Sequence, residues 1–225
     1  MVPRSWQKGA PTCDGHDHRI LWLKDLYRGD EIRVAPFGGH GLPCRREWLE
    51  LTGFFRDRHG HRRMVAPALL RVLAQVQRHF GGRQLHLMSG YRAADDPQAL
   101  NSYHQVARAA DVWLDGIENR DLFEYCRTLQ RAGENLGCGL YPAGTHVHVD
   151  VRSRATIWVD LSGYGDGAIY IPNPEAWLEA HLIGDNYICR SATITFAGRA
   201  ARPDGAVRGS DPNGSRCLPT RRSGC

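Results

Sequence analysis

No stretch of this chain approaches the roughly 18–20 uninterrupted apolar residues of a helical membrane span, so none is expected. Arg4 and Lys8 lie in the first turn of sequence with no apolar run behind them, so no secretory leader is visible. Either the protein stays inside the cell or its true start lies further upstream. Cysteine is present, but none of the pairs among Cys13, Cys44, Cys126, Cys138, Cys189, Cys217 and Cys225 has CxxC spacing. That argues against a zinc ribbon or a thioredoxin-type motif. The odd count leaves the redox compartment open, with one or two disulfides or buried free thiols as alternatives. No internal repeat is evident.

Concentrated positive charge is also missing from the foldable part. The net charge is +5, and residues 185–225 hold seven arginines against three aspartates. A nucleic-acid binder would carry its excess on a folded face. Arg62-Arg63 and Arg221-Arg222 are too short to make such a patch, so no nucleic acid is expected as partner.

What is present suits a globular domain. The 225 residues have room for one domain of about 150–200 residues plus extensions. With 42% hydrophobic and 24% charged residues there is enough apolar material for a core. Residues 1–18 are polar and read as a flexible N-terminal segment. Residues 19–184 read as the folded domain, and the Arg-, Gly- and Pro-rich residues 185–225 as a disordered tail without apolar periodicity.

Within the domain, 19–23 and 31–34 flank the turn signal Arg28-Gly29-Asp30 and predict a β-hairpin. Residues 36–62, rich in Gly, Arg and His, read as mostly irregular. Pro67 opens a helix with an apolar stripe of Val65, Leu69, Leu70, Val72, Leu73 and Val76, closed by Gly81-Gly82. Residues 85–88 predict a strand, 93–103 a polar loop, 111–114 a strand, and Asn119 the N-cap of a helix to about Arg131. Strands over 137–141 and 145–151 follow, turned by Pro142-Ala143-Gly144. Asn173-Pro174 starts a last helix to about Leu182.

His146-Val147-His148-Val149-Asp150 is the segment richest in chemistry. Side chains on a strand alternate between faces, so His146, His148 and Asp150 share one face, about 7 Å apart from neighbour to neighbour. The valines between them point to the core. Such a face is either solvated or turned toward a metal. His104 and Asp111 can supply the second element, because a His, a carboxylate and a second His make the three-ligand set of a catalytic zinc. His16-Asp17-His18 and His59-Gly60-His61 lie in polar, irregular segments and read as solvated side chains.

Four segments recur in order: Ser89-Gly90-Tyr91-Arg92, SYHQVARAAD at 102–111, GCGLYP at 137–142 and HVHVD at 146–150. In this the chain resembles the zinc D-alanyl-D-alanine metallopeptidases, whose fold is shared with lysostaphin-type enzymes and the hedgehog signalling domain. Within that family it looks most like the murein endopeptidase K-like branch. The resemblance covers about 19–182. It departs from the family at Ala107, where the family has glycine, and in a shorter stretch from Arg92 to His104.

The resemblance implies an α+β domain, with a small antiparallel sheet and helices packed on one side. It implies one zinc per chain on His104, Asp111 and His148. His146 would be the helper of the reacting water, and Arg92 the group that binds a peptide carboxylate or an oxyanion. The residue-level alternative for Arg92 is an ion pair with Asp95 or Asp96. Asp150 would support a ligand imidazole, and Tyr141 and Ser102 would line the groove or support the site. The implied partner is the peptide stem of peptidoglycan, met in the periplasm or cell envelope by a monomer. Two rivals have the same residues: a zinc-containing binding module without turnover, and an intracellular zinc D-dipeptidase. If position 107 needs a positive φ, alanine there strains the loop that presents His104.

Overall fold

The structure is a computed structural model that describes residues 20–38, 43–93, 102–163 and 166–182. The expected flexible N-terminal segment and the tail from 185 lie outside the described residues. So do His16-Asp17-His18, Asp95 and Asp96.

The chain begins with the hairpin that the sequence predicts. β1 (Leu21–Asp25) and β2 (Glu31–Val34) pair antiparallel. The turn closes through Gly29 N–H to Asp25 O, and the Asp25 carboxylate accepts the Tyr27 and Arg28 N–H groups. β3 (Leu85–Ser89), β4 (Ala109–Leu114), β5 (Leu136–Leu140), β6 (Val147–Val151) and β7 (Thr156–Val159) complete one seven-stranded sheet. Its order is β2-β1-β3-β4-β6-β5-β7, antiparallel except for β1 with β3 and β5 with β7. This is the α+β architecture expected from the resemblance.

One face of the sheet is apolar. Leu21, Leu23, Leu85, Leu87, Val112, Leu114, Val147, Val149 and Val151 are all buried. α2 (Pro67–His79) and α3 (Asn119–Arg131) pack on the sheet and on each other, contributing Leu69, Leu70, Leu73, Val76, Leu122 and Phe123 to the core. Period-two alternation sends Asp111, His148 and Asp150 to the opposite face.

Three expectations need correction. Residues 36–62 carry a regular centre that the irregular reading leaves out, α1 (Arg45–Phe54). Its buried residues are Trp48, Leu51, Thr52 and Phe54, preceded by Arg45, Arg46 and Glu47, so the apolar stripe is short in sequence. Tertiary contact completes it: the Trp48 indole N–H donates to Val65 O at 2.6 Å. Asn119 is the first residue of α3, not its cap; Glu118 precedes the helix and no side chain caps it. The Asn119 amide instead donates to Gly144 O at 3.1 Å, tying α3 to the turn before His146. Finally, β6 starts at Val147, so Thr145 and His146 stand ahead of the ladder.

α4 (Pro174–Leu182) runs into a second compact unit that begins at Glu175. Within it, the His181 and Trp177 rings stack one turn apart, and His181 Nδ1 donates to Trp177 O.

Candidate metal centre

The open face of the sheet brings three ligand-type atoms together. β4 and β6 pair with Asp111 opposite His148, so strand register alone sets a carboxylate beside an imidazole. His148 Nδ1 lies 2.9 Å from Asp111 Oδ1. The third group arrives on a short 3-10 turn, Tyr103–Val106, capped by Ser102, whose Oγ accepts the His104 N–H. His104 Nε2 then stands 3.2 Å from His148 Nδ1 and 3.4 Å from Asp111 Oδ1. All three residues are at least 93% buried. They are the one cluster of three or more metal-ligating residues among the described residues.

The far sides of both imidazoles are held. His104 Nδ1 donates to Gly90 O at 2.6 Å, and His148 Nε2 donates to Asp150 Oδ2 at 3.0 Å. Those bonds place the remaining lone pairs on His104 Nε2 and His148 Nδ1, aimed at each other and at a carboxylate oxygen. Three acceptors converging in a dry space repel unless a cation stands between them. Zinc ligands about 2.0–2.1 Å from the metal in a tetrahedron stand roughly 3.3 Å apart, which is close to the separations seen here. The residues therefore fit a zinc ion.

A proton competes with a cation for the same inward-facing atoms. Burial works against the charged Asp111, yet the His104 and His148 imidazoles hold its carboxyl well below the usual range. Burial lowers His104. His148 goes the other way: burial opposes its charge, but its hydrogen bonds to Asp111 and Asp150 raise it above the ordinary imidazole value.

The SGYR motif now has a physical explanation. A β-bulge between Leu87 and Ser89 places Ser89 opposite Asp111. Ser89 Oγ accepts from Arg92 Nε at 2.7 Å, and Arg92 Nη2 pairs with Asp111 Oδ2 at 2.5 Å. Arg92 therefore occupies one carboxylate oxygen, while the other faces the His104 and His148 imidazoles. At Gly90 a Cβ would stand 2.8 Å from Phe55 Cδ1 and 2.9 Å from Phe55 O, so only glycine fits where the Gly90 carbonyl meets His104.

Ala107 closes the turn behind His104 with φ 51° and ψ 40°. It is the one described non-glycine residue with positive φ, so the condition stated for strain at this position holds.

His146 lies ahead of β6, stacked on Tyr141 with ring centroids 4.5 Å apart. Its charge state responds to Asp111, His148, Arg92 and His104, and burial lowers its pKa. Its Nδ1 is buried with no hydrogen-bond partner among the described residues. The Tyr141 hydroxyl accepts from Trp158 Nε1 at 3.3 Å, and burial raises its pKa.

Two residues at the site were not singled out in the sequence. Trp158 lies with its ring 4.9 Å from that of His148, and Arg152 pairs with Asp150. Arg152 continues the period-two series of His148 and Asp150 by one step, so alternation was a usable signal for it. Nothing local marks Trp158. His59 and His61 are exposed, with His61 bonded to Asp57, and form no metal cluster with the other described residues.

No curated protein and no solved structure matches the chain. The Peptidase M15 profile matches residues 35–150, just over half of the sequence, and that span contains the bulge, the 3-10 turn and all three convergent ligand atoms. This chain belongs to the Peptidase M15 family.

Proposed function

We propose that this protein is a zinc-dependent peptidase that hydrolyses peptide bonds in the stems of bacterial peptidoglycan. The type is murein endopeptidase or D,D-carboxypeptidase, acting in the periplasm or envelope as a monomer with one zinc per chain. The observation that carries the reading is the convergence of His104 Nε2, His148 Nδ1 and Asp111 Oδ1, each lone pair aimed inward by a hydrogen bond or ion pair behind it. Family membership supports the peptidase class, and the four ordered motifs support the peptidoglycan substrate.

Zinc held by His104, Asp111 and His148 would supply a water acidic enough to ionise near neutral pH and would polarise the scissile carbonyl. The other roles fall to this chain's own groups. Burial lowers the His146 pKa and so favours the neutral imidazole, which can take a proton from the attacking water and pass it to the leaving amine. Stacking on Tyr141 holds that ring in place. Arg92, anchored on Asp111 and Ser89, presents its remaining N–H groups to an oxyanion or a peptide carboxylate. Asp150 keeps His148 in its ligand tautomer.

Zinc content and muropeptide turnover, measured on the same preparations, test the reading. His104→Ala and His148→Ala should be metal-poor and inactive. His146→Ala should keep its zinc and turn over about 10²–10⁴-fold more slowly. Zinc lost from His146→Ala but kept by His148→Ala would reverse the two roles. A zinc-loaded parent that leaves purified peptidoglycan uncut, judged by mass spectrometry of the products, would refute the substrate.

A further inference from the structure

Behind His148 and Asp150 stands a third charged residue whose role the peptidase reading does not supply. Arg152 follows β6 directly, and its backbone N–H donates to Asn135 O at 3.0 Å. Its Nε donates to Asp150 Oδ1 at 2.6 Å, and its Nη2 pairs with Asp150 Oδ2. The guanidinium thus grips both carboxylate oxygens. Two aromatic rings enclose it: its Cζ lies 4.6 Å from the Tyr103 ring centroid and 5.4 Å from that of Trp158. The side chain is 15% exposed and Asp150 is 0% exposed. Gly137, opposite Asp150 on β5, leaves room for this pair; a Cβ there would stand 2.5 Å from Arg152 Cζ and closer still to Asp150.

A buried carboxylate held by one imidazole alone can turn about its χ2. Forked by a guanidinium that itself lies against the Tyr103 and Trp158 rings, it cannot. Its Oδ2 is then fixed where His148 Nε2–H needs an acceptor, and the opposite nitrogen is fixed toward Asp111 and His104.

We propose that Arg152 is a positioning residue for the metal, acting through Asp150 to hold His148 in ligand orientation. The inference rests on the zinc reading above. Its sign distinguishes it from a simple charge effect. Coulomb repulsion alone predicts that removing a cation near the site tightens zinc binding. Positioning predicts that binding weakens.

The test is the zinc dissociation constant of the full chain, measured by competition with a chromophoric chelator. The proteins are the parent, Arg152→Gln, Arg152→Lys, Asp150→Asn and the Asp150→Asn/Arg152→Gln double variant. Arg152→Gln should weaken binding about tenfold or more, the scale for losing an outer partner of a ligand. Arg152→Lys, which keeps the charge but cannot fork, should lose several-fold. The double variant should bind no more weakly than Asp150→Asn, because a residue that acts through Asp150 has nothing left to act on. Unchanged or tighter binding in Arg152→Gln overturns the proposal. So does an equal further loss in the Asp150→Asn background. A residue that only braced the fold would lower the melting temperature and leave the zinc constant of the folded protein unchanged. If circular dichroism shows Arg152→Gln unfolded, Arg152→Lys decides, and parental affinity in it overturns the fork. A parent that binds zinc no better than His104→Ala removes the zinc reading itself. A parent that binds, with Arg152 variants that bind equally well, removes only the role of Arg152.

Discussion

Gly139 offers a sharp test of how the site face is built. It sits in β5 between His148 of β6 and Trp158 of β7. A Cβ built there would stand 2.6 Å from both Nε1 and Cζ2 of Trp158, a separation that real side chains do not tolerate. The indole is not free to swing aside, because its Nε1 donates to the Tyr141 hydroxyl and Arg152 lies over its ring. Gly139→Ala should therefore overpack the face, at a cost of about 1–3 kcal/mol. Replacing glycine within a strand returns roughly 0.5–1 kcal/mol of backbone entropy. The central net loss is about 1 kcal/mol, or roughly 2–4 °C in melting temperature for a chain of this size. Urea unfolding of the chelator-treated protein reads it without metal linkage. The decisive comparison is made in a Trp158→Ala background, where the obstructing ring is gone. There Gly139→Ala should stabilise, by roughly 0.5 kcal/mol. A Gly139→Ala protein as stable as the parent, or one that loses the same amount in both backgrounds, would refute the steric argument.

Two further expectations concern the loops around the site. Ala107→Val should destabilise by about 2 kcal/mol or more, because a β-branched residue at φ 51° is strained, while Ala107→Gly should stay within about 1 kcal/mol of the parent. Equal stability of the Val variant and the parent in thermal unfolding would show that the turn relaxes freely. Asp160 is buried, and its Oδ1 accepts the Ser162 and Ile169 N–H groups at 2.9 Å each. Burial works against its charge, but these bonds leave its pKa below 3.8. Asp160→Ala should cost about 2 kcal/mol at neutral pH. A depressed carboxylate pKa stabilises fully above the unfolded value and loses that contribution as pH falls through the folded one. The gap between parent and variant should therefore be flat from pH 7 to about 5 and narrow below 3.8. A gap that widens on acidification would contradict the assignment.

Local pattern determined much of this protein from the sequence alone. The hairpin around Arg28-Gly29-Asp30, the stripe of α2 closed by Gly81-Gly82, and the alternation that puts His148 and Asp150 on one face all depend on neighbours a few residues apart. Such patterns survive without knowledge of the rest of the chain. The ordered motifs likewise named His104, Asp111 and His148 before any geometry was available. Tertiary structure decided what those residues do with their atoms. Which imidazole nitrogen faces inward depends on Gly90 O for His104 and on the Asp150 carboxylate for His148. Arg92 pairs with Asp111 across 19 positions, at a carboxylate that the bulge sets opposite Ser89. Helix α1 was hidden for the same reason: its short apolar stripe is completed by a long-range bond from Trp48 to Val65. Asn119 found a tertiary acceptor at Gly144 instead of capping its own helix. In each case a long-range partner sets the outcome, and a partner distant in sequence leaves no periodic trace to read.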